Sequence, residues 1–277
     1  MKTVSSLSEL RTARLSLKGT VGLVPTMGYL HEGHLSLISQ AKAECEHVIV
    51  TIFINPPQFG AHEDFSKYPR DLERDLALIS PLGVDLVWNP SAEVIYPPGY
   101  QTWVEVEALT RLLEGAMRPG HFRGVTTVVA KLFNATQPDK SYFGQKDAQQ
   151  AAVIRQMTRD LNYPIEIVIC PTVREADGLA MSSRNEYLSA EERQAATVLF
   201  RSLSAAKEAY DAGERAGEAI RRKMKEALAG EPLAQMQYVS CADYDTLEEL
   251  DVIKGKTLLS MAVFLGKTRL IDNFVLG

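Results

Sequence analysis

"VGLVPTMGYLHEGH", residues 21–34, joins an apolar run to an octet with two glycines and two histidines. The run "TVGLVP" (20–25) reads as a strand, and four others resemble it: "HVIVTIFI" (47–54), "VDLVW" (84–88), "KSYFG" (140–144) and "IEIVIC" (165–170). Segments of helical period lie between them, at about 33–46, 70–80, 123–136 and 147–161. Near-continuous apolar strands separated by helices imply parallel pairing with both faces covered, a doubly wound α/β sheet of Rossmann-like type. Ligands of such sheets bind beyond the carboxyl ends of the strands, where the chain reverses direction across the sheet. "MGYLHEGH" (27–34) stands at such an end, so topology alone places a site there.

The composition changes after about residue 188. The stretch from Ser189 to Leu228 reads as two helices rich in Ala, Glu, Lys and Arg, with a glycine break near 213 and "SAEE" as a capping box. "MQYVSC" and "TLLSMAVFLGKTRLIDNFVL" then read as strands joined by turns. We expect residues 1–176 to form the Rossmann-like domain and 177–277 a smaller α+β domain.

The 277 residues carry a net charge of −5 and no basic stripe, which argues against general nucleic-acid binding. No apolar run approaches the ~18 residues of a membrane span, and the N-terminus lacks the apolar core of a secretory signal. The cytoplasm is therefore the expected location. Cys45, Cys170 and Cys241 are too scattered for a disulfide framework or a CxxC metal site and read as buried thiols.

Gly28 and Gly33 have the spacing of the GxxxxGK[ST] phosphate loop, but His34 and Leu35 occupy the Lys and Ser/Thr positions. The later "GKT" (266–268) has Met261 in place of the first glycine, so that match also fails. His31 and His34 are three apart, whereas the zinc-protease helix pattern needs four. A packed turn and a phosphate site stay open. For the phosphate reading, Gly28 provides the tight turn and Gly33 leaves room for a ligand to approach the backbone. Two imidazoles at a helix N-terminus then meet anionic oxygens together with backbone N–H groups.

This arrangement resembles the HxGH signature of the nucleotidyltransferases and class I aminoacyl-tRNA synthetases, which implies a second, distant phosphate loop. "DGLAMSSRNEYLS" (177–189), with Ser182, Ser183 and Arg184 in series, is similar to a reduced KMSKS motif. "FINPPQFG" (53–60), "MRPGHFRGV" (117–125) and "YFGQKDAQQ" (142–150) complete a set of five. Together they closely resemble the pantothenate synthetase (pantoate–β-alanine ligase) family, strongly over about residues 1–200 and only in character beyond.

The resemblance implies a homodimer that uses ATP as a substrate with Mg²⁺. Pantoate's carboxylate attacks the α-phosphorus to give pantoyl adenylate and pyrophosphate, and the amine of β-alanine then displaces AMP. It implies His34 as a donor to phosphate, His31 beside it and Lys146 at the α-phosphate as the catalytic set. The ATP-facing residues it implies are Met27, Gly28, Tyr29, Leu30, His31, Glu32, Gly33 and His34. To these it adds Gly144, Gln145, Lys146 and Asp147, then Met181, Ser182, Ser183 and Arg184, and a backbone contact from Val173 to adenine. Asp147 is implied to hold Mg²⁺ directly or through water. Gln58 is matched to pantoate and β-alanine, and Gln150 to pantoate. An acyl adenylate must be kept from water, so "NPPQFGAHEDF" (55–65) and "READGLAMSSRN" (174–185) are expected as lids. Two rivals are an enzyme making a different adenylate and a silent nucleotide-binding regulator.

Overall fold

A computed structural model describes residues 1–60 and 63–277. Among them, β1 (Lys2–Val4), β2 (Val21–Thr26), β3 (His47–Ile52), β4 (Leu86–Trp88), β5 (Lys140–Gly144) and β6 (Glu166–Cys170) form one parallel sheet. Its order is β1-β4-β3-β2-β5-β6. The helices of this region are α1 (Leu7–Ser16), α2 (Glu32–Glu44), α3 (Leu72–Ile79), α4 (Ala92–Ile95), α5 (Leu113–Met117), α6 (His121–Thr136) and α7 (Ala148–Asp160).

The central strands β2, β3 and β4 are buried almost throughout because both faces are covered. Val21, Leu23 and Ile49 pack with Leu10, Phe133 and Val153 of α1, α6 and α7. Val24, Val48 and Val50 turn the other way, onto Leu37 and Ile38 of α2 and Ile79 of α3. The chain runs from β2 outward to β3 and β4, then returns to place β5 on β2's other side. The reversal lies between β2 and β5, and the octet follows the first of these strands while "GQKD" follows the second. All three cysteines are buried thiols.

Four elements escape the periodicity. β1, α4 and α5 have three, four and five residues, too few to show a period. α1 does carry a signal: Ser6 accepts from the Glu9 N–H at 3.2 Å, and its own N–H donates to the Glu9 carboxylate at 3.0 Å.

The rest of the chain forms α8 (Ala190–Ala195), α9 (Val198–Asp211), α10 (Gly217–Ala229) and the antiparallel sheet β7 (Ala234–Asp243), β8 (Thr257–Leu265), β9 (Thr268–Leu276). Ser189 caps α8 with Glu192 as expected, but the two expected helices are three, since the chain breaks at Ala196 and Thr197. "GKT" spans the β8–β9 hairpin, with Gly266 at φ +57°. One face of this sheet packs Leu259, Met261 and Val263 against Leu203, Ile220 and Met224 of α9 and α10. Leu258 instead joins the core of the large sheet, and Arg269 pairs with Glu114 of α5 at 2.6 Å. Among the described residues no helix is long and apolar enough to cross a membrane.

Candidate active site

The octet folds as a turn clamped from outside the motif. Gly28 sits at φ +82°, and Tyr29 follows at φ +51°, a conformation that costs a non-glycine residue about 1 kcal/mol or more. The buried Asp75 carboxylate of α3 offsets this by accepting the Tyr29 and Leu30 N–H groups at 2.7 Å each. Burial pushes that carboxyl above its usual range despite these two bonds. Arg74 completes the clamp, donating to the Leu30 carbonyl at 2.9 Å and lying over the Tyr29 ring.

α2 then starts with a reciprocal cap made of imidazoles. His31 Nδ1 accepts from the Gly33 N–H at 3.2 Å, and His34 Nδ1 accepts from the His31 N–H at 3.3 Å. Both rings line the cleft, with centroids 4.1 Å apart. An imidazole that accepts at Nδ1 while neutral carries its proton on Nε2. Burial and the nearby Lys146 push His31 down to about 4. Burial, His31 and Lys146 push His34 down to about 3. Near neutral pH the pair is thus two neutral Nε2–H donors.

This geometry refines two expectations. A Cβ on Gly33 would meet the His31 ring at 2.9 Å, so this glycine makes room for the imidazole as well as lining the cavity. The N–H groups of Gly33, His34 and Leu35 bond to His31, so these three amides are already engaged and the imidazoles supply further donors at this helix end.

A cavity of about 230 Å³ opens at the reversal of the sheet. Met27, His31, Gly33 and His34 line it from the octet. Gly144, Lys146, Asp147 and Gln150 line it after β5, and Val173, Met181, Ser182, Ser183 and Arg184 after β6. Gln58 faces it from the loop after β3. The two distant loops converge on this one cavity, where a Cβ built on Gly33 would lie 4.0 Å from the Met181 Cβ.

Five expected residues do not line the cavity: Gly28, Tyr29, Leu30, Glu32 and Gln145. Gly28, Tyr29 and Leu30 lie against Asp75, where Leu30 is fully buried. Glu32 opens the first turn of α2. Gln145 turns its amide to Asn273 of β9, at 3.0 Å.

Arg118 and His121 line the cavity from "MRPGHFRGV", a stretch to which sequence reading assigns no residue roles. Arg118 holds the Glu63 carboxylate with two bonds of 2.6 Å and donates to His121 Nε2 at 3.0 Å. His121 Nδ1–H donates to the Gln58 carbonyl at 2.7 Å. Burial and Arg118 push this imidazole down to about 4, so it serves as a neutral relay. Asn55 adds a bond from its amide to Gln58 Oε1 at 3.1 Å and another to the Gly124 carbonyl at 3.0 Å.

α6 packs so closely on this loop that a Cβ on Gly124 would stand 2.6 Å from backbone atoms of Pro57 and Gln58. Gly124→Ala gains about 0.5–1 kcal/mol of helix propensity, but overpacking of this kind costs about 1–3 kcal/mol. A net fall in the urea midpoint is expected, and an unchanged or raised midpoint would count against so tight a contact.

The two expected lid segments are joined to each other. Arg184 pairs with Asp64 through bonds of 3.2 and 3.1 Å, and Ser183 Oγ lies 3.1 Å from Tyr68 Oη. Ala61 and His62, in the first segment, lie outside the described residues.

A family model described as pantoate-beta-alanine ligase matches residues 1–275. The chain belongs to this family. It is 60% identical over 276 residues to the pantothenate synthetase of Roseiflexus sp. (strain RS-1), a match covering 100% of this chain and 99% of that one. The crystal structure of pantoate-beta-alanine ligase (pantothenate synthetase) from Thermus thermophilus overlays with a TM-score of 0.96 at 50% identity, covering 99% of both chains. That of the Francisella tularensis pantoate-beta-alanine ligase, complexed with beta-gamma ATP and beta-alanine, overlays at 0.82 and 36% identity, covering 99% of this chain and 97% of that one. The likeness therefore runs through the tail, beyond the motifs that carry it in the sequence. The enzyme is a ligase that condenses pantoate with β-alanine.

Proposed function

We propose that the condensation proceeds through pantoyl adenylate, formed where the octet and the Ser182–Arg184 segment meet. The observation that carries this reading is that the octet and the Met181–Arg184 segment, two phosphate-type loops far apart in the chain, line one cavity. Pantoate's carboxylate attacks the α-phosphorus, an acyl–O–P bond forms, and the bond to pyrophosphate breaks. The amine of β-alanine then attacks the acyl carbon, gives up a proton and expels AMP.

Each side chain has a task matched to its chemistry. His34 and His31 donate from Nε2 to oxygens around the α-phosphorus, where charge rearranges in the transition state. Lys146 supplies a compact positive charge there, and Ser182, Ser183 and Arg184 take the β- and γ-phosphates. Arg184 has five N–H donors, of which the Asp64 pair uses two, so phosphate can bind without releasing the latch. The Val173 backbone lies on the adenine side. Gln58 and Gln150 bind pantoate, Gln58 also faces β-alanine, and neutral amides leave the carboxylate more nucleophilic than an arginine would.

Magnesium commonly takes one or two carboxylates and completes its shell with phosphate oxygens and water. Asp147, half-exposed at the cavity beside Lys146, fits that need as a single carboxylate. Bound there, the ion would neutralise charge on the phosphates. The homodimer and the cytoplasmic location are carried by the family resemblance. The division at residue 176/177 is supported by Leu179, which already packs into the second core.

Pyrophosphate exchange into ATP that depends on pantoate, together with AMP release that needs all three substrates, tests the pathway. AMP release without a pantoate-dependent exchange would count against the adenylate. Gln150→Ala is expected to raise the pantoate KM about tenfold or more while kcat falls less, as for a lost ground-state contact. An unchanged KM would remove Gln150 from the pantoate site.

A further inference from the structure

We propose that Asn273, on β9 of the C-terminal sheet, is a positioning residue for Lys146. The proposal rests on the reading of Lys146 as a phosphate-side residue. Asn273 is buried, at 4% exposure, and its amide is spent on the turn after β5. Nδ2 donates to the Gln145 carbonyl at 3.0 Å and to the Lys146 carbonyl at 2.9 Å. Oδ1 accepts from Gln145 Nε2 at 3.0 Å.

The two carbonyls belong to the peptide planes on either side of the Lys146 Cα. A peptide plane is rigid, so fixing both planes fixes the direction of the Cα–Cβ bond between them. The lysine stem beyond that bond is flexible, and its base is the part that the fold can aim. One buried side chain therefore sets where the ammonium group starts its reach into the cavity.

The preceding residue of β9 acts on the opposite wall. Asp272, also buried, binds Arg174 with bonds of 2.7 and 2.9 Å, and accepts the Asn273 N–H at 2.7 Å. Arg174 donates in turn to the Gly178 carbonyl at 2.9 Å, within the hairpin that leads to Met181. Two consecutive residues of one strand thus tie down the bases of both phosphate-facing segments. This gives the C-terminal sheet a part in the chemistry although its own side chains stay behind the wall.

The test is a double-mutant cycle on pantoate-dependent pyrophosphate exchange, with full-length enzyme. Asn273→Ala is expected to lower kcat about 10- to 100-fold with little change in the pantoate KM, since misplacement of about 1 Å costs that order of rate. In the Lys146→Ala background the same change should cost less than about threefold, because the group it aims is gone. Asn273→Asp, of the same shape but without the N–H donors, should reproduce the loss, and it serves if the alanine variant does not fold. A full additional loss in the Lys146→Ala background would overturn the proposal, as would a wild-type kcat with only a lower melting temperature. If Lys146→Ala itself leaves the exchange rate unchanged, the reading of Lys146 fails first and takes this proposal with it.

Discussion

Lys146→Ala is expected to lower pantoate-dependent pyrophosphate exchange by about 10²–10⁴-fold, with the fold intact. The residue stands in the first turn after β5, beside the reversal of the sheet, and lines the same cavity as His31 and His34. Its nearest carboxylate, Asp147, is 3.7 Å away, too far for a strong hydrogen-bonded pair, so the ammonium group is available to an anion. Phosphoryl transfer asks little covalent work of the protein and depends on charge placed around the phosphorus. Lys146→Arg is expected to restore only part of the rate, since a planar fork on a longer stem meets different oxygens. Retention of more than a tenth of the wild-type rate by the alanine variant would take Lys146 out of the reaction.

His34→Ala is expected to cost about 10²–10³-fold in the same exchange, the usual loss for a preorganised donor to a developing anion. It also removes the acceptor for the His31 N–H, so a small loss of stability should accompany it. The pH behaviour follows from the direction of the shifts. Folding pushes His34 down to about 3, and His31 and His121 to about 4, from the value near 6.5 that they regain on unfolding. As pH falls below 6.5 the unfolded chain takes up protons that the folded chain refuses, and stability declines until the folded-state values are passed. Stability is therefore expected to fall between about pH 7 and pH 4, less steeply in His34→Ala than in wild type. Urea titrations at several pH values measure both slopes, and equal slopes would show that His34 titrates normally in the folded protein.

The residues that sequence reading finds and those it misses differ in the distance over which they act. The octet, "GQKD" and the Ser182–Arg184 segment are each contiguous in the chain, so strand period and turn residues reveal the octet, and motif resemblance reveals the other two. Asp75, which holds the octet turn, lies 45 residues beyond Leu30 and looks like any helix carboxylate. The glutamine pair 149–150 makes the same point. Gln149 is buried, bonding to Leu109, Leu112 and Glu114, while Gln150 lines the cavity. Family resemblance picks out Gln150, whereas local pattern has no means of separating two adjacent amides. "MRPGHFRGV" stands out as a stretch, but the relay from Glu63 through Arg118 and His121 to Gln58 needs two segments about 60 residues apart.

By itself the sequence determined the parallel sheet, the end of it that carries the site, and the chemical types gathered there. The sheet and its site-bearing end follow from hydrophobic period and turn residues, which act between near neighbours along the chain, and the chemical types follow from contiguous motifs that resemble a family. Only the tertiary structure decided that Gly33 serves an imidazole, that both histidines carry their proton on Nε2, and that the C-terminal sheet reaches behind Lys146. Those outcomes depend on which buried polar group finds which partner. Such partners are chosen by packing across the whole molecule, so no local stretch of sequence records them.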